Sequence, residues 1–105
     1  NGKAKREVVY VDDIADACIY FMKRNFKETI INIGSGKDYT IKEYAQKILK
    51  HIVPKKNIKI KYDHTKPNGT PRKVLDISLA KKYGWVSKTK LNQAISETYK
   101  DFLNK

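Results

Sequence analysis

The apolar positions change period several times along the chain, and each change marks an element. Arg6-Glu7-Val8-Val9-Tyr10-Val11 is rich in β-branched and aromatic side chains and predicts a strand. Asp12-Asp13 follows, a pair suited to capping a helix and to placing negative charge in its first turn. Ile14, Ala17, Cys18, Phe21 and Met22 then recur at helical spacing, which predicts an amphipathic helix over residues 13–25. A short strand is expected over residues 29–33, ended by the Gly34-Ser35-Gly36 turn. Thr40-Ile41-Lys42-Glu43 has the form of a capping box, in which hydroxyl and carboxylate satisfy orphan backbone donors reciprocally. Ile41, Tyr44, Ala45, Ile48, Leu49 and Ile52 lay down the cleanest helical stripe. Residues 57–62 alternate polar and apolar, the pattern of a half-buried strand. Residues 66–71 are turn-rich, and a short helix after Asp76 should end at Gly84. A last helix carries Leu91, Ala94, Ile95, Tyr99 and Phe102.

Strands alternating with helices predict the α/β class, here an α+β-like small domain. With 105 residues the chain is one domain or part of one, with a modest core. A strand only a few residues from Asn1 suggests a piece of a larger protein. The hydrophobic fraction of 40% is too high for a disordered tail. No run of 18 apolar residues is present to span a membrane, and the polar opening residues do not resemble a secretory signal. A single cysteine, Cys18, excludes an internal disulfide framework and fits a reducing cytoplasm; no metal-ligating cluster is apparent.

Charge adds a different constraint. Lys and Arg number 23 against 11 Asp and Glu, a net charge of +12. Such a balance raises the case for a polyanionic partner, either a phosphorylated ligand or nucleic acid, although an A/T-rich coding bias that enriches Lys and Ile is the simpler reading. Only Arg6, Arg24 and Arg72 are arginines, and the lysines are spread along the whole chain. Base-reading proteins favour the planar fork of Arg, so a small basic nucleic-acid-binding module is the alternative and not the leading reading.

Motifs narrow the chemistry. Gly34-Ser35-Gly36 sits between a predicted strand and a helix, but Tyr39 stands where the third glycine of a dinucleotide-binding turn would fall. Of the seven tyrosines only Tyr62 has a lysine four residues later, Lys66, and that pair runs from the end of an expected strand into a turn-rich loop, so it is not the Tyr/Lys pair that a short-chain dehydrogenase carries on one helix face. His51 and His64 have no evident nucleophilic partner, and Cys18 on its apolar stripe is expected to be inert core. Asp12-Asp13 could serve acid/base or metal chemistry, though a cap is the simpler role. Residues 66–73, Lys-Pro-Asn-Gly-Thr-Pro-Arg-Lys, gather backbone donors, a hydroxyl and three cations between stiffening prolines. Such a loop could cradle a phosphate or diphosphate, or be an ordinary basic surface loop.

These motifs together resemble one family. Residues 6–17 resemble the R-E-F-L-H-V-D-D-x-A-x-A stretch of GDP-L-fucose synthases, which are extended short-chain dehydrogenases/reductases. Ile31-Asn32-Ile33-Gly34-Ser35-Gly36 is similar to their I-N-V-G-T-G, and Thr40-Ile41-Lys42-Glu43 to T-I-R-E. Residues 66–73 resemble K-P-D-G-T-P-R-K, followed by Leu75-Asp76 and Gly84-Trp85 in the family's order. The resemblance spans essentially all 105 residues, and the K-P-x-G-T-P-R-K block is its most specific part.

The resemblance implies that residues 1–105 are the C-terminal substrate-binding region of an NADP-dependent GDP-sugar epimerase/reductase. It implies a Rossmann domain elsewhere in the parent, against which residues 6–36 pack, and a homodimeric parent. NADP and the catalytic Ser, Tyr, Lys, Cys and His would belong to that other part, leaving this chain inactive alone, with no catalytic, cofactor-binding or metal-binding residue. Arg6 and Lys73 match family residues that hold the nucleotide-sugar, and Asn68 stands where an Asp usually contacts it. Asn offers one accepting oxygen and adds a donor, and Tyr10 replaces the usual His. These departures leave GDP-L-fucose, a GDP-heptose or another GDP-deoxy-sugar open as the product.

Overall fold

A computed structural model describes all 105 residues. It contains three short strands and four helices: β1 (Lys5–Glu7), α1 (Val11–Met22), β2 (Asp38–Thr40), α2 (Ile41–Ile52), β3 (Arg72–Lys73), α3 (Ser78–Lys82) and α4 (Leu91–Leu103). The class is α/β, as the alternation of periods predicts. β1 is the central strand, antiparallel to β2 and parallel to β3.

Local signals place the helices well. In α2 the Glu43 amide donates to Thr40 Oγ1 at 3.0 Å, and the Thr40 amide donates to Glu43 Oε2 at 2.7 Å, completing the capping box. α3 closes in a Schellman turn, with Gly84 at φ +92°, its amide on Lys81 O and the Trp85 amide on Ala80 O, both 3.0 Å. A Cβ on Gly84 would also lie 2.6 Å from Tyr20 Oη, so sterics and backbone both require glycine there.

Four expectations need correction. α1 begins at Val11 with Tyr10 as its N-cap, so Asp12 and Asp13 are first-turn residues and not caps. Cys18 is exposed, because the face of α1 that packs inward is centred on Ala17. Residues 29–33 and 57–62 form no ladder, and pairing of residues 6–11 stops at Glu7. Strands need a neighbour's backbone, and an alternating side-chain pattern records the two faces of a segment without supplying one. Phe102 lies in α4 but is 69% exposed, whereas Leu91, Ala94, Ile95 and Tyr99 are half-buried.

The core is small. Ala17 of α1, Ala80 of α3 and Trp85 are buried, with Tyr20, Phe21, Ile31 and Ile33 packed around them. Trp85 Nε1 donates to Asp16 at 3.0 Å, satisfying the indole. A second contact joins α2 to α4. The Cα radius of gyration is 16.4 Å, against about 13 Å expected for a compact domain of this length, so much apolar surface stays open. Val11, Ile19, Met22 and Ile30 are each more than half exposed.

Candidate functional site

The small sheet gathers the basic residues. Its register pairs Arg6 of β1 with Lys73 of β3 on one side and with Tyr39 of β2 on the other. Residues paired across neighbouring strands stand side by side, so two cations share one rung of the sheet. Arg6 and Lys73 lie 67 positions apart in the chain, and only the parallel β1–β3 pairing brings them together.

Arg6 also organises the loop before β3. Its Nη1 donates to Thr70 O at 2.6 Å and to Lys5 O at 2.7 Å. A Cβ on Gly69 would lie 3.1 Å from Arg6 Nη2, and Gly69 has φ +73°. The guanidinium is therefore seated against the Asn68-Gly69-Thr70 backbone, and the positive φ favours glycine at 69. Nη1 is committed to two carbonyls, while Nε and Nη2 carry the N–H groups left for a ligand. Tyr44, half-buried in α2, donates its hydroxyl to Arg6 O at 2.7 Å and fixes the strand from below. Burial is the main reason the Tyr44 phenol sits above its ordinary pKa.

Of the three sequence-derived binding residues, Arg6 and Lys73 are adjacent, and both border a shallow depression with Glu7, Val74 and Leu75. Asn68 is exposed in the loop that Arg6 holds, with Oδ1 accepting from the Asn1 amino nitrogen at 2.9 Å. The structure removes one cation from the expected cradle. Arg72 makes a two-pronged pair with Asp38, at 2.6 and 3.2 Å, and that pair holds the Asp38 carboxyl below its usual range.

The parts played by Glu7 and Asp13 were not legible in the residue pattern. Glu7 Oε2 accepts from the Gly36 amide at 2.5 Å and Oε1 from the Leu75 amide at 3.1 Å. Gly34 is buried against that carboxylate, where a Cβ would lie 2.7 Å from Oε2. An acid directly after an arginine is the sequence signal, but its partners are backbone amides that no residue pattern names. Asp13 is 5% exposed and accepts from Ser87 Oγ, Thr89 N and Thr89 Oγ1 at 2.9 to 3.1 Å.

The Gly34-Ser35-Gly36 turn does not fit a nicotinamide dinucleotide. Its Gly36 amide is occupied by a carboxylate, and that negative charge stands where a pyrophosphate would approach. No group of three or more His, Cys, Asp or Glu side chains could hold a metal ion. No helix is long and apolar enough to cross a membrane.

Comparison with known proteins places the chain among relatives. Residues 1–34 match the model of the NAD dependent epimerase/dehydratase family. A putative GDP-L-fucose synthase 2 of Arabidopsis thaliana is 42% identical over 103 residues, which are 98% of this chain and 31% of that protein. A GDP-6-OMe-4-keto-L-xylo-heptose reductase from C. jejuni superposes with a TM-score of 0.85 at 33% identity, over 99% of this chain and 32% of that one. A GDP-mannoheptose C4 reductase from Campylobacter jejuni with NADP bound gives 0.79 at 34% identity, over 98% and 33%. The chain thus spans about a third of the length of the relatives it matches. By sequence over nearly its whole length and by fold, it is homologous to GDP-L-fucose synthases and has the architecture of about a third of an extended short-chain dehydrogenase/reductase.

Proposed function

We propose that residues 1–105 form the substrate-binding region of an NADP-dependent GDP-sugar epimerase/reductase that makes GDP-L-fucose or a related GDP-deoxy-sugar. The observation that carries this reading is the Arg6–Lys73 rung, with Arg6 seated on the Asn68-Gly69-Thr70 backbone. A seated arginine with a lysine on the same rung, beside a proline-flanked loop, suits a diphosphate, since charge-assisted hydrogen bonds are strong and the Arg6 contacts order the loop before the ligand arrives. Arg6 offers Nε and Nη2 to phosphate oxygens, Lys73 adds a point charge, and Asn68 faces the nucleoside. Holding the diphosphate fixes where the sugar reaches, a contribution to rate through positioning. NADP and the reacting side chains belong, in this reading, to a Rossmann domain outside these residues, against which residues 6–36 pack. The parent is proposed to be a homodimer in the cytoplasm, where a lone cysteine stays reduced.

The likeness to GDP-sugar enzymes favours this reading over a nucleic-acid module, and the lysines form no single block in the sequence. Kinetics of Arg6→Ala and Lys73→Ala in the full-length protein test it. Each should raise KM for the GDP-sugar about 10- to 100-fold, the cost of a lost charge-assisted hydrogen bond, with NADP affinity unchanged. An unaltered KM in both variants would remove the pair from the site.

A further inference from the structure

We propose that Glu7 is a positioning residue for the diphosphate site: its carboxylate clamps the Gly34-Ser35-Gly36 turn and the segment leaving β3, and so holds Lys73 in register beside Arg6. This inference rests on the binding role proposed above for Arg6 and Lys73.

Three observations carry it. β3 is only two residues long, so its ladder with β1 is short and its exit needs a further anchor. Glu7 supplies that anchor: Oε1 takes the Leu75 amide, two residues beyond Lys73, and Oε2 takes the Gly36 amide, two residues before Asp38. One side chain thus ties β1 to the approaches of both its neighbours. Second, the pairing sets Glu7 opposite Asp38, two like charges that would disfavour the sheet. Asp38 is offset by Arg72, and Glu7 by its two backbone donors. Third, Gly34 is buried against the carboxylate, where any side chain would displace it. The same two hydrogen bonds draw the negative charge toward backbone donors, within a depression that Glu7 shares with Arg6 and Lys73.

Two variants of the full-length protein that carries this chain test the clamp by different routes. Glu7→Gln turns one acceptor into a donor facing an N–H group, and Gly34→Ala keeps the charge but pushes the carboxylate aside. Both should raise KM for the GDP-sugar and the dissociation constant of GDP about five- to tenfold, more than they lower kcat. Wild-type values of both constants in both variants, whatever happens to Tm, would overturn the proposal. Arg6→Ala and Lys73→Ala are measured alongside. If only these two weaken GDP binding, the clamp is wrong and the site stands; if none of the four does, the site itself is wrong. Should the variants fail to fold, amide exchange in the unaltered protein decides: the Gly36 and Leu75 amides should be protected, and exchange at the rate of free peptide would refute the clamp.

Discussion

Asp13 and Thr89 are 76 positions apart, yet they meet through two hydrogen bonds, from the Thr89 amide at 2.9 Å and the Thr89 hydroxyl at 3.0 Å. With Ser87 Oγ as a third donor, the Asp13 carboxylate joins the first turn of α1 to the segment that enters α4. Burial alone would raise the pKa of this group. The hydrogen bonds from Thr89 and Ser87 outweigh it and hold the carboxyl below its usual range.

Asp13→Ala should therefore destabilise the protein by about 2–3 kcal/mol, since it strands donors that are partly buried. Asp13→Asn should cost less, because one accepting oxygen remains. The depressed pKa gives the sign of the pH dependence. The contribution is full above the unfolded carboxylate pKa of about 3.9, and it is lost as pH falls through the lower folded value. Urea denaturation from pH 7 down to pH 3 checks this: the gap between wild type and Asp13→Ala should narrow only at the acid end.

Gly84→Ala should cost about 1–3 kcal/mol, since φ of +92° strains any L side chain and the new methyl meets Tyr20 Oη. Tyr20→Phe relieves that contact while losing the hydrogen bond to Tyr83 O, which is 2.5 Å long. Thermal denaturation of the double variant should show less than the sum of the two single losses, and simple additivity would refute the contact.

Asn68→Asp in the full-length protein should alter nucleotide recognition more than folding. The residue is exposed in a turn where Asn and Asp are nearly equivalent for the backbone, so stability should change by less than about 0.5 kcal/mol. A carboxylate presents a different acceptor set to the same ligand edge. Kinetics with GDP-, ADP-, UDP- and CDP-sugars decide it, and identical preferences in both variants would show that position 68 does not touch the nucleoside.

Residues 1–105 expressed alone should self-associate through the open face of α1 and its neighbour Ile30. Val11, Ile19, Met22 and Ile30 are 54–84% exposed, and large apolar side chains left in water favour association. Sedimentation velocity should show concentration-dependent association, reduced in a Met22→Lys, Ile30→Lys double variant. A compact monomer at high concentration would contradict it.

Local chemistry was legible in the sequence. The Thr40–Glu43 box, the α2 stripe and the Gly84 stop all depend on residues within one or two turns of each other, so their pattern alone predicts them. The K-P-N-G-T-P-R-K block likewise pointed to the family. Pairing across the sheet was not legible. Nothing near Arg6 in the sequence selects Lys73 over the other lysines as its neighbour, and nothing in residues 29–33 or 57–62 says whether a backbone partner lies beside them. Arg72 was one of three equal cations until tertiary structure turned it onto Asp38. Glu7 and Asp13 became structural because distant backbone amides and hydroxyls came within 3.1 Å of their oxygens. A capping motif carries its own partners, whereas a buried carboxylate acquires its role only when the folded chain brings the donors to it.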